Sequence, residues 1–354
     1  MAPGQTLLVL AEDPQLGYYD SRIAGAVIEA ARGMGLHPHL REVAFTPDAP
    51  PPDAPLLAEM GAADRVLFLA RLGDQLRFDP AFDAIRPVVS YALDAEALRS
   101  DFGRAHHHAF EALKYRINSA LASARTIRVT CPLGTDFSGP GAPFPEQGGE
   151  VGVTRFPMAV FAPVPAAPYA GVIAQAGFLI GTGSRYYDPY ALPLDDVLRV
   201  HVDGNRILGF DGTPADVDRA ARHYREIGAR FGIDWTFVHS WHAGIHPGCA
   251  FAGLAGDSPE RWSGSAFGSP RVLHFHTCGA YAPGEISLNV IDPTVTLDGV
   301  KVWDTGRLHP DRIAGGVDIL AQYPCAAAAF AAPPREIGLG PNGRLTAPAQ
   351  AKAR

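Results

Sequence analysis

The sequence predicts a protein of mixed class, with an N-terminal α/β domain built on a parallel sheet and a β-rich α+β C-terminal domain. Apolar strand-like runs alternate with helical stretches over the first third of the chain, a pattern typical of a parallel sheet covered by helices. From about residue 132 glycine and proline become dense and short β-like runs follow one another. A chain of 354 residues that is 47% hydrophobic and 19% charged can bury a core in each part.

The first domain is predicted to span residues 1–131. In chain order its elements are a strand over 6–11 (TLLVLA), a helix over 20–33, a strand over 38–43, a helix over 56–61, the strand-like runs RVLFLAR and PVVSYAL, a helix over 105–124 and a last strand, TIRVTC. Phe110, Leu113 and Ile117 follow the three-to-four spacing of one helix face. No glycine-rich phosphate loop follows these strands, so the sequence gives no support to nucleotide binding.

The second domain is predicted to span residues 132–333, and residues 334–354 are predicted to form a flexible tail. Its elements are the β-like runs AVFAPV and GVIAQAG, a hairpin in RVHVDGNRIL, a helix over 214–231, a strand in VLHFHTC and a second hairpin in VTLDGVKVWDTG. Both hairpins are predicted from an Asp-Gly turn between residues of alternating polarity.

Composition excludes several classes of partner. A formal net charge of −7 argues against nucleic acid, which requires a basic face. No apolar run reaches the roughly 20 residues of a membrane helix. The N-terminal run lacks a basic region before it and predicts a strand, not a signal peptide. Four separated cysteines indicate reduced thiols in the cytoplasm. We therefore expect a cytoplasmic protein with a small-molecule substrate; a homodimer is an open alternative.

Histidines form the densest chemical feature of the chain. Five of them fall in the segments HSWHAGIHPG and LHFHTCG: His239, His242, His246, His274 and His276. Imidazole is the commonest metal ligand and titrates near neutral pH. We predict that these five residues are catalytic. The last two share a face if VLHFHTC is a strand, whereas the first three share one only if their segment is helical, which Pro247-Gly248 disfavours.

Two chemistries are compatible with this cluster. In the first, His274 and His276 form a metal dyad and a third imidazole comes from His239, with the next histidine of that segment as the alternative; Fe(II) and Zn(II) are the candidate ions. A carboxylate from Glu285 or Asp292 would complete a two-histidine, one-carboxylate site. In the second, no metal is bound and a histidine is a general acid or base. The alternative to both chemistries is that these are ordinary hydrogen-bonded histidines with a structural role.

Further residues are candidates for substrate contact. Arg185, Tyr186 and Tyr187 in GTGSRYYDPY could orient an anionic or aromatic substrate in a cleft between the domains, and Trp241 could stack on a ring. The alternatives are a rigid loop and a core tryptophan. Cys249, three residues after a histidine, is a candidate nucleophile, although buried thiols are commonly inert.

The order of several segments resembles a known superfamily. These segments are FEALKYRINSALASARTIRVTCPLGTDFS, TRFPMAVFAPVPAAPYAGVI, the hairpin at VDGNRI, the G-x-[NH]-P turn in AGIHPG and the final TVTLDGVKVWDTG. Together they resemble the superfamily of aminopeptidase-T-type metallo-aminopeptidases and 2,5-dihydroxypyridine 5,6-dioxygenases. The resemblance implies an aminopeptidase-T-like C-terminal domain and an enzyme that is a hydrolase or a ring-cleaving dioxygenase acting on a ring- or amide-containing substrate. A non-catalytic binding protein on the same scaffold is the alternative.

The resemblance also implies positions for metal ligands, and this chain departs from them. One position, seven residues before the proline of the G-x-[NH]-P turn, is Ser240, and the H-x-D pair falls on Ser287 and Asn289. Serine and asparagine supply neither an imidazole nor a carboxylate, so we predict that these three residues do not ligate a transition metal. Any metal site must then use the displaced histidines.

Overall fold

The computed structural model describes residues 1–48, 51–143, 152–182, 185–279 and 284–348. The strands are β1 Thr6–Ala11, β2 His37–Glu42, β3 Arg65–Leu69, β4 Val88–Ser90, β5 Ile127–Thr130, β6 Asp136–Gly139, β7 Thr154–Phe156, β8 Val164–Pro165, β9 Ala170–Gln175, β10 Phe178–Ile180, β11 Ala191–Pro193, β12 Leu198–Asp203, β13 Arg206–Asp211, β14 Val238–Ala243, β15 Val272–Thr277, β16 Ile286–Ile291, β17 Thr294–Leu297, β18 Val300–Asp304 and β19 Arg307–Leu308. The α-helices are α1 Ile23–Gly33, α2 Ala54–Ala62, α3 Arg71–Gln75, α4 Phe82–Ile85, α5 Ala95–Arg99, α6 Asp101–Arg104, α7 His107–Ser123, α8 Pro214–Phe231, α9 Pro259–Ala266, α10 Gly316–Gln322 and α11 Pro324–Ala331.

The chain divides into two compact units. Unit 1 takes the described parts of residues 1–104, 150–157 and 183–187, and unit 2 takes those of residues 105–149, 158–182 and 188–354. A parallel sheet in the first unit and antiparallel sheets in the second confirm the mixed class predicted from the sequence.

Unit 1 is built on a five-stranded parallel sheet in the order β2-β1-β3-β4-β7. Alternate residues of β1 enter two different cores, with Leu8 and Leu10 on one face and Leu7 and Val9 on the other. A strand that is buried on both faces gives the continuous apolar run TLLVLA. The sequence therefore predicted four of the five strands, but not β7, which lies beyond the predicted boundary at residue 131.

Unit 2 contains two antiparallel sheets. One has eight strands in the order β13-β12-β9-β6-β5-β17-β18-β19, and the other has six in the order β11-β10-β16-β15-β14-β8. Phe275 of β15 meets Phe137 of β6 edge to face at 5.0 Å, so one face of the six-stranded sheet packs on the larger sheet. Residues on either side of Phe275 point to the opposite face of β15.

Both predicted hairpins are present. Gly204 and Asn205 connect β12 to β13, and Asp298 and Gly299 connect β17 to β18. All four residues have positive φ, as two-residue type I′ turns require. The first loop is therefore Gly-Asn, one residue later than the predicted Asp-Gly turn.

The boundary between the units differs from the prediction at residues 131 and 132. Helix α7 and strand β5 belong to unit 2, because β5 pairs antiparallel with β6 and β17 in the eight-stranded sheet. The segment TIRVTC is thus not the last strand of the first domain. Its alternation of buried and partly exposed residues is that of an antiparallel strand with one covered face.

The predicted tail is packed as far as it is described. Ile337 is fully buried, pairs with Phe251 in an isolated bridge and accepts a hydrogen bond from Trp262 Nε1 at 2.7 Å through its carbonyl. Leu345 is buried in the same apolar cluster. Residues 334–348 are therefore part of unit 2, and residues 349–354 lie outside the described residues. Among the described helices, none is long and apolar enough to cross a membrane.

Candidate metal centre

The candidate centre lies on three adjacent strands, β14, β15 and β16. Their antiparallel register aligns two rows of residues across one face of the six-stranded sheet. The rows are Ser240–His276–Ser287 and His242–His274–Asn289. Because side chains two residues apart on a strand share a face, all six point to the side opposite Phe275. The strand predicted for VLHFHTC is confirmed, and it places His274 and His276 together.

Three of these six residues converge. One ring nitrogen from each of His242, His274 and His276 lies within 4.8 Å of the other two, and all three residues are buried. The Nε2 atoms of His242 and His276 are 3.1 Å apart. Two nitrogens on a tetrahedral zinc lie about 3.4 Å apart when each bond is about 2.0–2.1 Å. The three imidazoles therefore fit a single transition-metal ion after small side-chain adjustments.

Neighbouring groups fix the orientation of these rings. His242 Nδ1 lies 3.1 Å from the carbonyl oxygen of Phe161, and only a protonated Nδ1 can donate to that oxygen. This tautomer leaves a lone pair on His242 Nε2, the atom that faces His276. Phe267 stacks on His274, with ring centroids 4.1 Å apart and an interplanar angle of 24°. A backbone carbonyl and an aromatic wall are typical supports of metal-binding histidines.

His239 does not join the three, although it was the first choice for the third ligand. The register of β14 shifts between Val238 and Ser240, which makes His239 the extra residue of a bulge. Its Nδ1 lies 2.7 Å from Ser240 Oγ, and partial burial lowers its pKa. The bulge places Ser240 and His242 on the face of the centre, so His242 supplies the third imidazole.

His246 has a core environment. Its ring stacks on Phe110 with centroids 3.8 Å apart, and its Nδ1 accepts a hydrogen bond from the Gly248 backbone at 3.1 Å. Burial lowers the pKa of His246 to about 3, so the ring is neutral at neutral pH. This residue was predicted to be catalytic, but its contacts are those of a structural histidine.

Trp241, one of the predicted substrate-contact residues, is not on the sheet face that carries the centre. Trp241 is fully buried on the opposite face of β14 from His242, against Phe161 and Tyr169. It is a core residue, as its alternative assignment proposed.

Residues 185–187 of GTGSRYYDPY belong to unit 1. Tyr186 and Tyr187 are buried, Arg185 is exposed, and Tyr186 meets Phe45 edge to face at 5.0 Å. Residues 183 and 184 lie outside the described residues. A substrate role for Arg185, Tyr186 and Tyr187 stays a prediction.

Neither the cysteine thiols nor the candidate carboxylates belong to the converging group of ligand atoms. Burial raises the pKa of Cys249 and of Cys278 to about 12, which disfavours the reactive thiolate in both. Asp292 forms a two-point ion pair with Arg271, with N–O distances of 2.7 and 2.9 Å. Glu285 is buried immediately before β16.

The residues that support the centre were missed from the sequence. Phe161 acts through a backbone carbonyl, which no side-chain motif encodes, and Phe267 follows α9 in the segment before β15. One available signal was the alternation Ser240-x-His242, which matches the alternation of His274-x-His276 on the next strand.

Unit 1 contains a separate cavity of about 240 Å³. It is lined by the carboxyl ends of β1, β2 and β3, where ligands bind in many open parallel sheets. Glu12 on its wall is buried and accepts hydrogen bonds from the backbone N–H of Arg71 at 2.8 Å and from Arg71 Nε at 3.1 Å. No histidine lines this cavity.

Comparison with known proteins supports the fold. No family model matches the chain, and no curated protein matches it. Among solved structures, the chain is similar to 2,5-dihydroxypyridine dioxygenase from Pseudomonas putida KT2440. The two are 16% identical, the match covers 86% of this chain and 92% of the other, and the TM-score is 0.56. At this identity the similarity establishes a shared fold.

Proposed function

We propose that this protein is an enzyme that acts on a small molecule with a divalent transition-metal ion held by His242, His274 and His276. The convergence of three buried imidazoles on adjacent strands carries this proposal. Burial of three adjacent imidazoles removes their hydrogen bonds to water, which costs free energy. Coordination of one shared metal ion offsets that cost.

The ion would supply Lewis acidity, which polarises a substrate oxygen or activates water or dioxygen. The chain's own residues hold and orient the ligands. The carbonyl of Phe161 keeps the proton of His242 on Nδ1 and so keeps its Nε2 available. Phe267 covers one face of His274 and limits its rotation. The three histidines are buried, and the exclusion of bulk water strengthens electrostatic interactions at the site.

Two reaction classes follow from the two candidate ions. The similar fold of a dihydroxypyridine dioxygenase supports an oxygenase that uses Fe(II) on a ring-containing substrate. The sequence resemblance to aminopeptidase T supports a hydrolase that uses Zn(II) on an amide-containing substrate. We favour the oxygenase, because the likeness of sequence segments includes a dioxygenase and the likeness of fold is also to a dioxygenase.

A metal-free enzyme is the second candidate. The Nε2 atoms of His242 and His276 are 3.1 Å apart, which is also a hydrogen-bond distance if one of them carries a proton. Such a pair could pass a proton to or from a substrate. If the protein has neither the metal-dependent nor the metal-free activity, it would be a small-molecule-binding protein with the same fold.

Metal content tests the proposal. We expect tag-free protein to bind about one Fe(II) or Zn(II) ion per chain, measured by elemental analysis and calorimetry. Replacement of His242, His274 or His276 by alanine should weaken metal binding at least about 100-fold, because each removes a ligand. The matched control is His39→Ala, which removes an exposed histidine from β2.

The alternatives predict different results. Protein that neither retains nor binds an ion would contradict the metal site and favour the metal-free enzyme. Equal metal affinity in the three alanine variants and the control would mean that the ion binds elsewhere.

A further inference from the structure

Asn289 completes the row of His242 and His274 with a side-chain amide. It is buried, and it lies directly opposite His274 in the register of β15 and β16. Residues opposite each other on neighbouring antiparallel strands have Cβ atoms about 4.5–5.5 Å apart, so the amide borders the metal centre.

The amide is oriented by its neighbour two residues earlier. Ser287 Oγ donates a hydrogen bond to Asn289 Oδ1 at 3.0 Å. This contact holds the oxygen and turns Nδ2 away from Ser287. Asn289 Nδ2 is buried and has no hydrogen-bond partner among the described residues. A buried amide nitrogen without an acceptor is unfavourable, so this donor indicates a ligand with an acceptor atom.

The charge of the centre indicates the kind of acceptor. The converging group holds three histidines and, within the described residues, no carboxylate. His242 donates to a neutral carbonyl, which adds no negative charge. With three neutral imidazoles, a divalent ion would give the site a net charge of +2. One carboxylate ligand would reduce that net charge to +1. In a buried site this difference strongly favours an anionic ligand.

We propose that the centre binds a small carboxylate, and that Asn289 Nδ2 donates a hydrogen bond to it. The positive ion attracts the anion, and the amide recognises one of its oxygens. Ser287 is a positioning residue, because it acts on the ligand only through Asn289. The proposal rests on the metal centre proposed above and adds the substrate class: a molecule that carries a carboxylate next to the reacting group.

Cobalt-substituted protein provides the test. Co(II) enters zinc and iron sites and absorbs visible light, so one titration reports metal binding and a second reports acetate binding. We compare wild type, Asn289→Ala, Asn289→Ser, Ser287→Ala and the control Asn342→Ala, which alters a surface loop. The backbone N–H of Asn289 donates to Gln175 Oε1, a contact that these substitutions leave in place. Thermal unfolding checks that each variant folds.

We expect acetate affinity to fall about tenfold in Asn289→Ala and about threefold in Ser287→Ala, with Co(II) affinity within about threefold of wild type. Neutral acetamide should bind at least about tenfold more weakly than acetate. Acetate affinity unchanged in both Asn289 variants, or acetamide that binds as tightly as acetate, would overturn the proposal while leaving the metal centre intact. Wild-type protein that binds no Co(II) would overturn both.

Discussion

At the scale of single residues, five histidines of one sequence cluster have different environments. His274 and His276 were predictable as a pair, because i and i+2 residues share a strand face wherever the strand lies. His242 could not be chosen over His239, because the choice depends on a bulge between Val238 and Ser240 that alternation does not reveal. The core position of His246 could not be predicted either, because it depends on stacking against Phe110, a residue 136 positions earlier in the chain.

The buried His246 should make stability depend on pH. Its pKa is about 3 in the folded protein and about 6.5 when unfolded, so the unfolded chain binds the proton more strongly between these values. The stabilisation is fully present above about pH 6.5 and is lost as the pH falls towards 3. In His246→Asn, which keeps an acceptor for Gly248 but does not titrate, we expect the pH slope of the unfolding free energy to fall by up to about 1.4 kcal/mol per pH unit.

Urea unfolding of wild type and His246→Asn at about pH 7, 5.5 and 4.5 measures that slope. His39→Asn removes an exposed histidine and should leave the slope unchanged. Parallel stability curves for wild type and His246→Asn would show that His246 is not held neutral by burial.

At the scale of secondary-structure elements, the sequence predicted those elements whose conformation depends on residues close to them in the chain. The apolar run of β1, the helix α8 and the type I′ turn at Asp298-Gly299 all depend on neighbouring residues. The assignment of β5 to the first domain was wrong because its partner β17 begins more than 160 residues later. The predicted tail was misassigned for the same reason: Ile337 packs against residues far earlier in the chain.

The C-terminal segment should therefore contribute to the stability of unit 2. Ile337→Ala removes a fully buried side chain from a cluster that contains Trp262 and Phe251, and we expect a loss of about 2–5 kcal/mol in unfolding free energy. Val317→Ala alters an exposed valine of α10 and should change it by less than about 0.5 kcal/mol. Urea unfolding compares the two. Equal, small effects would mean that residues around 337 form the free tail predicted from the sequence.

At the scale of the whole molecule, the fold is similar to that of a dihydroxypyridine dioxygenase, while serine and asparagine occupy the ligand positions that the sequence resemblance implies. Ser240, Ser287 and Asn289 lie on the same sheet face as the three histidines. Ser240 and Ser287 are opposite His276 in the register, and Asn289 is opposite His274. Metal chemistry at this face would thus use imidazoles from neighbouring strand positions. The sequence predicted the mixed fold class and the H-x-H pair, but the alignment of three strands could be read only from the register of the sheet.

Anomalous diffraction at the zinc edge, from crystals of tag-free protein soaked in Zn(II), tests the proposed centre most directly. We expect one strong peak in each chain, bonded to one nitrogen of each of His242, His274 and His276 at about 2.0–2.1 Å. The side chains of Ser287 and Asn289 should lie beyond bonding distance of the ion. A peak ligated by those two side chains, or no peak within bonding distance of the three histidines, would contradict the metal centre.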